Sequence, residues 1–423
     1  MPKVKGLRWW IIGLIALATI INYIDRSTLG IMWPNIAEDL GMDKADYALI
    51  LNAFMIAYAV GQSVSGRVFD KVGTRLGYVL AIALWGASSF MHAFARGVLS
   101  FSFFRVTLGL GEAGNWPGAV KSNAEWFPIK ERAFAQGIFN SGASIGSVIA
   151  PPLIATLWAA FGWKVTFMIV GSFGFMWLIP WLIINKKPPA EHPWLSEEER
   201  EYILSGQHNS GKQDPDAKSL SIKQILSHRE SWSVLIARFF LEPIWWLFVG
   251  WMPIYLAEKY GFNVKEIGYF AWVPYVGAAI GSIYGGAFSG KRIAQGDSVD
   301  KARKMAILIG AILMFSGLVA TILFANTALK FVIIVAVVLF GFQFAIGNIQ
   351  TLPSDLFRGP SVGSLAGLGG TVGVFSVIVM NFLVPYISNK ISYIPIFVMI
   401  AIFVPLGVLA IHFFAREIKP IGE

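Results

Sequence analysis

Apolar runs of about 20 residues, nearly free of charge, follow one another along this chain, and each is long enough to cross ~30 Å of hydrocarbon as a helix. The pattern predicts twelve such spans, at approximately 8–33, 46–66, 76–95, 98–120, 133–157, 163–184, 232–256, 267–289, 304–325, 329–350, 362–386 and 392–414. The first run is too long for a cleaved signal peptide, has no small-residue cleavage site and continues through Asp25 and Arg26, so it reads as a retained helix. The rhythm breaks at 185–231, a polar stretch that opens with Lys186-Lys187-Pro188-Pro189. Within it Ser196 and Glu199 have the spacing of a capping box, which predicts a short surface helix from Glu197 to Leu204, and Gly206 to Lys218 reads as a tether. Six spans precede the break and six follow. The predicted protein is therefore all-α and integral to a membrane, with one six-helix half over 1–184, a cytoplasmic linker carrying a short amphipathic helix over 185–231, and a second six-helix half over 232–423.

Small residues four apart let membrane helices approach closely. Gly61/Ser65, Gly142/Gly146, Gly281/Gly285 and Gly369/Gly373 put such faces on spans 2, 5, 8 and 11, which predicts that these four helices meet between the halves. Gly114/Gly118 in span 4 departs from that regularity.

Composition agrees with the pattern. Of 423 residues 56% are hydrophobic and only 14% charged, too little charge for the surface of a soluble protein of this size. The net charge of +9 does not signal nucleic acid, because the basic residues collect in loops on one side. With both termini inside, the outer loops hold seven of the 34 Lys and Arg (Lys44, Arg96, Lys164, Lys259, Lys265, Lys330 and Lys390), while the inner tails and loops hold 24. That asymmetry predicts cytoplasmic termini. There is no cysteine, and the five histidines are scattered, so neither a metal site nor a cofactor motif is visible.

Charges inside the spans carry the chemistry. A charged side chain at bilayer depth costs several kcal/mol (~3 on insertion scales) unless it faces a partner or a cavity. Arg105 and Glu112 lie two turns apart on one face of span 4. Asn22, Asp25 and Arg26 share a face of span 1 beside Tyr23, and Tyr58 lies mid-way along span 2. Two acids and two arginines on two helices suit a carrier of a charged solute that also handles protons; a static ion-pair network is the structural alternative. Arg238 and Glu242 near the cytoplasmic end of span 7 suit a gate or a structural pair equally. Trp245, Trp246 and Trp251 follow them, as stacking surfaces for a sugar or as belt residues. Asn348 and Gln350 in span 10 are placed either to bind hydroxyls or to bond a neighbouring helix. Gly285-Gly286-Ala287-Phe288-Ser289-Gly290-Lys291 nearly spells a phosphate-binding loop, but Arg292 follows and the run ends a membrane span, which excludes nucleotide binding.

The loop from Gly66 to Arg75 connects spans 2 and 3, with Arg67, Asp70 and Arg75 placed to latch neighbouring helices in one conformation. It resembles the loop signature of the major facilitator superfamily. Within that superfamily the chain is similar to the anion:cation symporters, most of all to their bacterial hexuronate carriers. The resemblance rests on Lys5-Gly6-Leu7-Arg8-Trp9, Glu125-Trp126-Phe127-Pro128 with Lys130-Glu131-Arg132, Ile149-Ala150-Pro151-Pro152-Leu153, Glu198-Glu199-Arg200 with Tyr202-Ile203, Arg238-Phe239 with Glu242-Pro243, and Tyr260-Gly261-Phe262-Asn263. It implies proton-driven uptake of organic anions by alternating access. It further implies that Arg26 binds the substrate carboxylate near Tyr23 and Tyr58, that Asp25 pairs with Arg105, and that Glu112 is a proton-coupling acid. Ala143 and Gly370 stand where related galactonate carriers have glutamine and asparagine, which speaks against a galactonate-like pocket.

The expectation is a non-enzymatic, monomeric symporter of the bacterial inner membrane that imports sugar-acid monoanions such as glucuronate and galacturonate with protons. Asn22, Tyr23, Arg26, Tyr58, Trp246, Asn348 and Gln350 are the candidate substrate residues, Asp25, Arg105 and Glu112 the coupling residues, and Arg67, Asp70, Arg75, Arg238 and Glu242 the conformational ones. Its partners are the anion, the proton and the bilayer, with no nucleic acid. A carrier or exchanger of another organic anion (galactonate, glucarate or another carboxylate) and a transporter-fold sensor are the alternatives. The acids lack the nucleophile–base constellation or metal site of an enzyme.

Overall fold

A computed structural model describes residues 3–208, 220–357, 361–419 and 421. Among these residues ten helical stretches are long and apolar enough to cross a membrane. One of them, Ala135–Ile184, holds two spans joined at Gly162, whose left-handed backbone (φ 72°) turns the chain where a side chain would be strained. The polar fourth span, Val98–Glu112 continued by Asn115–Trp126, completes twelve.

The remaining spans are Leu7–Leu40, Lys44–Gly66, Lys71–Phe94, Arg229–Tyr260, Val264–Ala294, Val299–Phe324, Ala328–Leu356, Ser361–Lys390 and Ile394–Phe414. Side-chain caps and left-handed glycines set many of their ends. Asp43 accepts from the amides of Ala45 and Asp46 at 2.7 and 2.9 Å to start span 2, and Gly41 (φ 62°) stops span 1.

The chain divides into two compact units, Met1–Lys212 and Gln213–Glu423, parted inside the predicted linker. The surface helix runs from Glu197 to His208, beyond the predicted Leu204. Ser196 Oγ accepts from the Glu199 amide at 3.2 Å, so half of the expected capping box is made. The Glu199 carboxylate turns away instead, accepting from the Gly6 amide at 2.9 Å and from Arg8 at 2.6 Å. It thereby caps the N-terminus of span 1, where free amides attract a negative charge.

The glycines of spans 2, 5, 8 and 11 have their nearest neighbours on other spans of the same half. Each of the named glycines packs inside its own unit. A Cβ at Gly61 would meet Ala113 of span 4 at 2.7 Å, and one at Gly146 would meet Ile20 O of span 1 at 2.7 Å. Gly281 and Gly285 lie against the backbone of Phe340 and Phe344 in span 10, and Gly369 and Gly373 lie against Arg238 and Glu242 in span 7. Spans 2 on 4 and 5 on 1 are thus repeated six spans later as 8 on 10 and 11 on 7, an internal repeat visible in the packing though faint in the sequence. Missing Cβ atoms announce close approach but do not name the partner.

Gly146→Leu is therefore expected to push on Tyr23, whose Cβ is 2.9 Å from the added atom, and to cost about 1–3 kcal/mol through overpacking. Gly137→Leu on the same helix meets nothing within 4 Å and serves as its control. Thermal unfolding of the purified variants checks this: a lowered midpoint for Gly146→Leu alone is the expected result, and equal midpoints count against it.

Candidate functional site

The intramembrane charges of the N-terminal half meet. Asn22, Asp25 and Arg26 from span 1 and Arg105 and Glu112 from span 4 are all buried. Arg26 Nε and Nη2 both donate to Glu112 Oε2, at 3.0 and 2.7 Å, and Nη2 also donates to Asn22 Oδ1 at 3.2 Å. The guanidinium plane is boxed by aromatic rings, with centroids at 5.2 Å (Tyr23), 5.1 Å (Phe54) and 4.8 Å (Tyr58). Such rings attract a cation through their electron-rich faces. Phe54 and Tyr58 stack 5.6 Å apart, one helical turn apart on span 2.

The implied Asp25–Arg105 pair is not made. Asp25 Oδ1 instead accepts from Ser89 Oγ of span 3 at 2.5 Å. Asp25 Oδ2 and Arg105 Nε and Nη2 have no hydrogen-bond partner among the described residues, and neither does Glu112 Oε1. The Arg105 guanidinium lies 6.0 Å from the Phe54 centroid. This leaves one ion pair, Arg26–Glu112, beside Asp25 and Arg105, with Asp25 Oδ2 and Arg105 Nε and Nη2 buried.

Span 4 breaks directly after Glu112. The helix ends there and restarts at Asn115. Side chains of neighbouring spans bond the backbone here: Ala113 O accepts from Ser65 Oγ at 3.2 Å, and Asn115 O from the Tyr78 hydroxyl at 3.1 Å. Asn115 Nδ2 donates to Thr19 Oγ1 at 3.0 Å, tying the restart to span 1 one turn from Asn22. Sequence reasoning passed over Ser89, Asn115 and Thr19, since single polar residues in apolar spans are common; the available signal was Ser88-Ser89 at the depth of Asp25.

The C-terminal half carries its own polar groups. Arg238 Nε donates to Glu242 Oε1 at 2.9 Å and the two form an ion pair. Gly369 and Gly373 make room for it, since a Cβ at Gly373 would fall 2.6 Å from Glu242 Cγ. Asn348 does not join this pair. Its Nδ2 donates to Gly285 O at 3.1 Å and Phe344 O at 3.0 Å, and its Oδ1 accepts from Arg303, which also bridges to Asp355 at 3.0 Å. Of its two readings, the helix-bonding one describes this geometry. Gln350 lies on the exposed side of span 10, and Trp246 is half-buried on span 7.

In the loop between spans 2 and 3, Gly73 supplies the turn with φ 79°. Arg75 is exposed and donates to Leu182 O at 3.4 Å. The side chains of Arg67 and Asp70 lie outside the described residues.

A helical protein with twelve spans and charges grouped inside one half has the build of a polytopic transporter. Residues 15–380 match the model of the Major Facilitator Superfamily, and the chain belongs to that family. It is 36% identical over 417 residues to a hexuronate transporter of Escherichia coli (strain K12), covering 97% of this chain and 94% of that one. It is 38% identical over 319 residues to a galacturonate transporter of Dickeya chrysanthemi, covering 74% and 91%. Among solved structures, a bacterial homologue of the human lysosomal transporter Spinster, inward-facing and unoccupied, superimposes with a TM-score of 0.76 at 16% identity over 98% of both chains, a likeness of fold.

Proposed function

We propose that this protein is a proton-coupled symporter of sugar-acid monoanions, with hexuronates such as glucuronate and galacturonate as its substrates. The hexuronate and galacturonate transporters it resembles support the substrate class. The observation that carries the coupling is the pair of Arg26 nitrogens on a single oxygen of Glu112. While Glu112 is ionised it holds the guanidinium that a substrate carboxylate needs. Protonation of Glu112 weakens that hold and frees Arg26 to grip the carboxylate through two parallel hydrogen bonds. Tyr23, Tyr58 and Asn22 border the same guanidinium and are placed to meet ring hydroxyls. Binding of the anion and of the proton thus favour one another, as linkage requires, and alternating access moves both together. On this reading the termini are cytoplasmic, the membrane is the bacterial inner membrane, and a monomer suffices.

The test is uptake by proteoliposomes under an inward proton gradient. Glucuronate or galacturonate is expected to accumulate above its outside concentration, and the accumulation is expected to collapse with a protonophore. Exchange of internal for external substrate with no response to the gradient identifies an exchanger and overturns the proposal.

A further inference from the structure

Span 7 carries a second guanidinium in the arrangement of the first. Arg238 Nε and Nη2 both donate to Glu242 Oε1, the former at 2.9 Å. Arg26 holds Glu112 in the same side-on way, with the same two nitrogens on a single carboxylate oxygen. The two pairs differ in access. The side chains of Arg26 and Glu112 are 5% and 0% exposed, and those of Arg238 and Glu242 are 17% and 12% exposed. The first pair is shut in, whereas the second can be reached from outside.

The open side of span 7 is a ridge. Arg238, Glu242 and Trp246 follow one another one turn apart and are each only part-buried, while Ala237, Leu241 and Trp245, one residue earlier in each turn, are buried. The pair begins ~14 Å along the helix Arg229–Tyr260, at about 1.5 Å per residue, and so lies inside the span. A charge at that depth turns to a partner or to water, because hydrocarbon does not solvate it. The exposed part of the pair therefore faces water. Span 11 backs it with bare backbone: a Cβ at Gly369 would come 3.1 Å from Arg238 Cδ. Among the described residues the guanidinium makes one further bond, a long one from Nη1 to Ala366 O at 3.5 Å.

We propose that Arg238 is a second carboxylate-binding group, at which a sugar-acid monoanion replaces Glu242. The proposal rests on the sugar-acid reading of the substrate and adds a site within the C-terminal half. Glu242 offers one oxygen to both nitrogens. A free carboxylate arriving in the guanidinium plane takes two parallel bonds, one to each of its oxygens, which is the better fit. The exchange breaks two N–H···O bonds to Glu242 and forms two to the substrate, and no proton moves. One turn along the ridge, Trp246 is of a residue type that suits the apolar face of a sugar. Because one carboxylate replaces another, binding here is weaker than at Arg26 and readily reversed, as suits a site that an anion passes through.

The experiment measures equilibrium binding of glucuronate to the purified full-length protein, with glucose as the sugar that lacks a carboxylate. Arg26→Lys is the background, since it disables the first guanidinium. Adding Glu242→Gln removes the competing carboxylate and is expected to tighten the remaining glucuronate binding about tenfold, the equivalent of one charge-assisted hydrogen bond, with no binding of glucose. Adding Arg238→Gln as well is expected to abolish that gain. A gain of affinity that requires Arg238 is not what the loss of a structural tie produces. Glu242→Gln alone, with Arg26 intact, decides the matter if the double variant does not fold: it is expected to bind a second glucuronate per protein, which the parent holds only weakly. Unchanged or weaker binding in Arg26→Lys/Glu242→Gln, a gain that survives Arg238→Gln, or no second glucuronate in Glu242→Gln overturns the site. A parent that binds no glucuronate overturns the sugar-acid reading and the site together; a parent that binds it while the Glu242→Gln variants show no gain overturns the site alone.

Discussion

Arg26→Lys is expected to raise the dissociation constant for a sugar acid by at least about 100-fold while the protein still inserts and folds. Two charge-assisted hydrogen bonds of about 1.5–3 kcal/mol each hold a carboxylate on a guanidinium, and an ammonium reproduces at most one of them in that plane. Losing one accounts for roughly tenfold or more, since each 1.4 kcal/mol is about a factor of ten. The rest comes from the surroundings. Tyr23, Phe54 and Tyr58 surround the guanidinium at 4.8 to 5.2 Å, and a planar cation fills that box where a compact, strongly hydrated ammonium does not. Equilibrium binding of glucuronate to the purified variant is the measurement, and an affinity within threefold of the parent removes Arg26 from the substrate site.

The spans were legible because crossing hydrocarbon demands length and apolarity, and both can be counted along a chain. Even the reversal between spans 5 and 6 was bracketed, between 157 and 163, although the helix Ile129–Ile184 runs almost unbroken through it and turns only at Gly162. Partners were less legible. The glycines of spans 2, 5, 8 and 11 announced close packing, yet Gly146 turned out to face Ile20 and Tyr23 of its own half. The charged site shows the same division. Asp25, Arg26, Arg105 and Glu112 stood out because each is expensive in a bilayer, but which acid meets which arginine depends on the relative height of spans 1 and 4, which a sequence does not carry. Ser89 escaped notice since a hydroxyl in an apolar helix ordinarily bonds its own backbone, as Ser88 does with Leu84 O at 2.7 Å. Asn348 stood out as a polar residue in an apolar setting, and its Nδ2 donates to Gly285 O and Phe344 O.

Glu112→Gln carries the second large effect. The amide is nearly isosteric with the neutral acid and cannot release a proton, so it holds the site in the form that frees Arg26. Substrate binding should then survive, while the link between anion and proton is cut. Asp25→Asn is a different lesion. Because Asp25 is bonded to Ser89 and makes no ion pair with Arg105, the amide oxygen can keep that hydrogen bond, and what is lost is a negative charge close to Arg105. The decisive comparison is made with Glu112→Gln and the parent in matched proteoliposomes, reading uphill accumulation under an inward proton gradient alongside counterflow at equal pH. Loss of accumulation with counterflow kept is the result this account predicts. If the Gln variant concentrates substrate as the parent does, Glu112 is not the coupling acid, and its bond to Arg26 is a fixed structural tie.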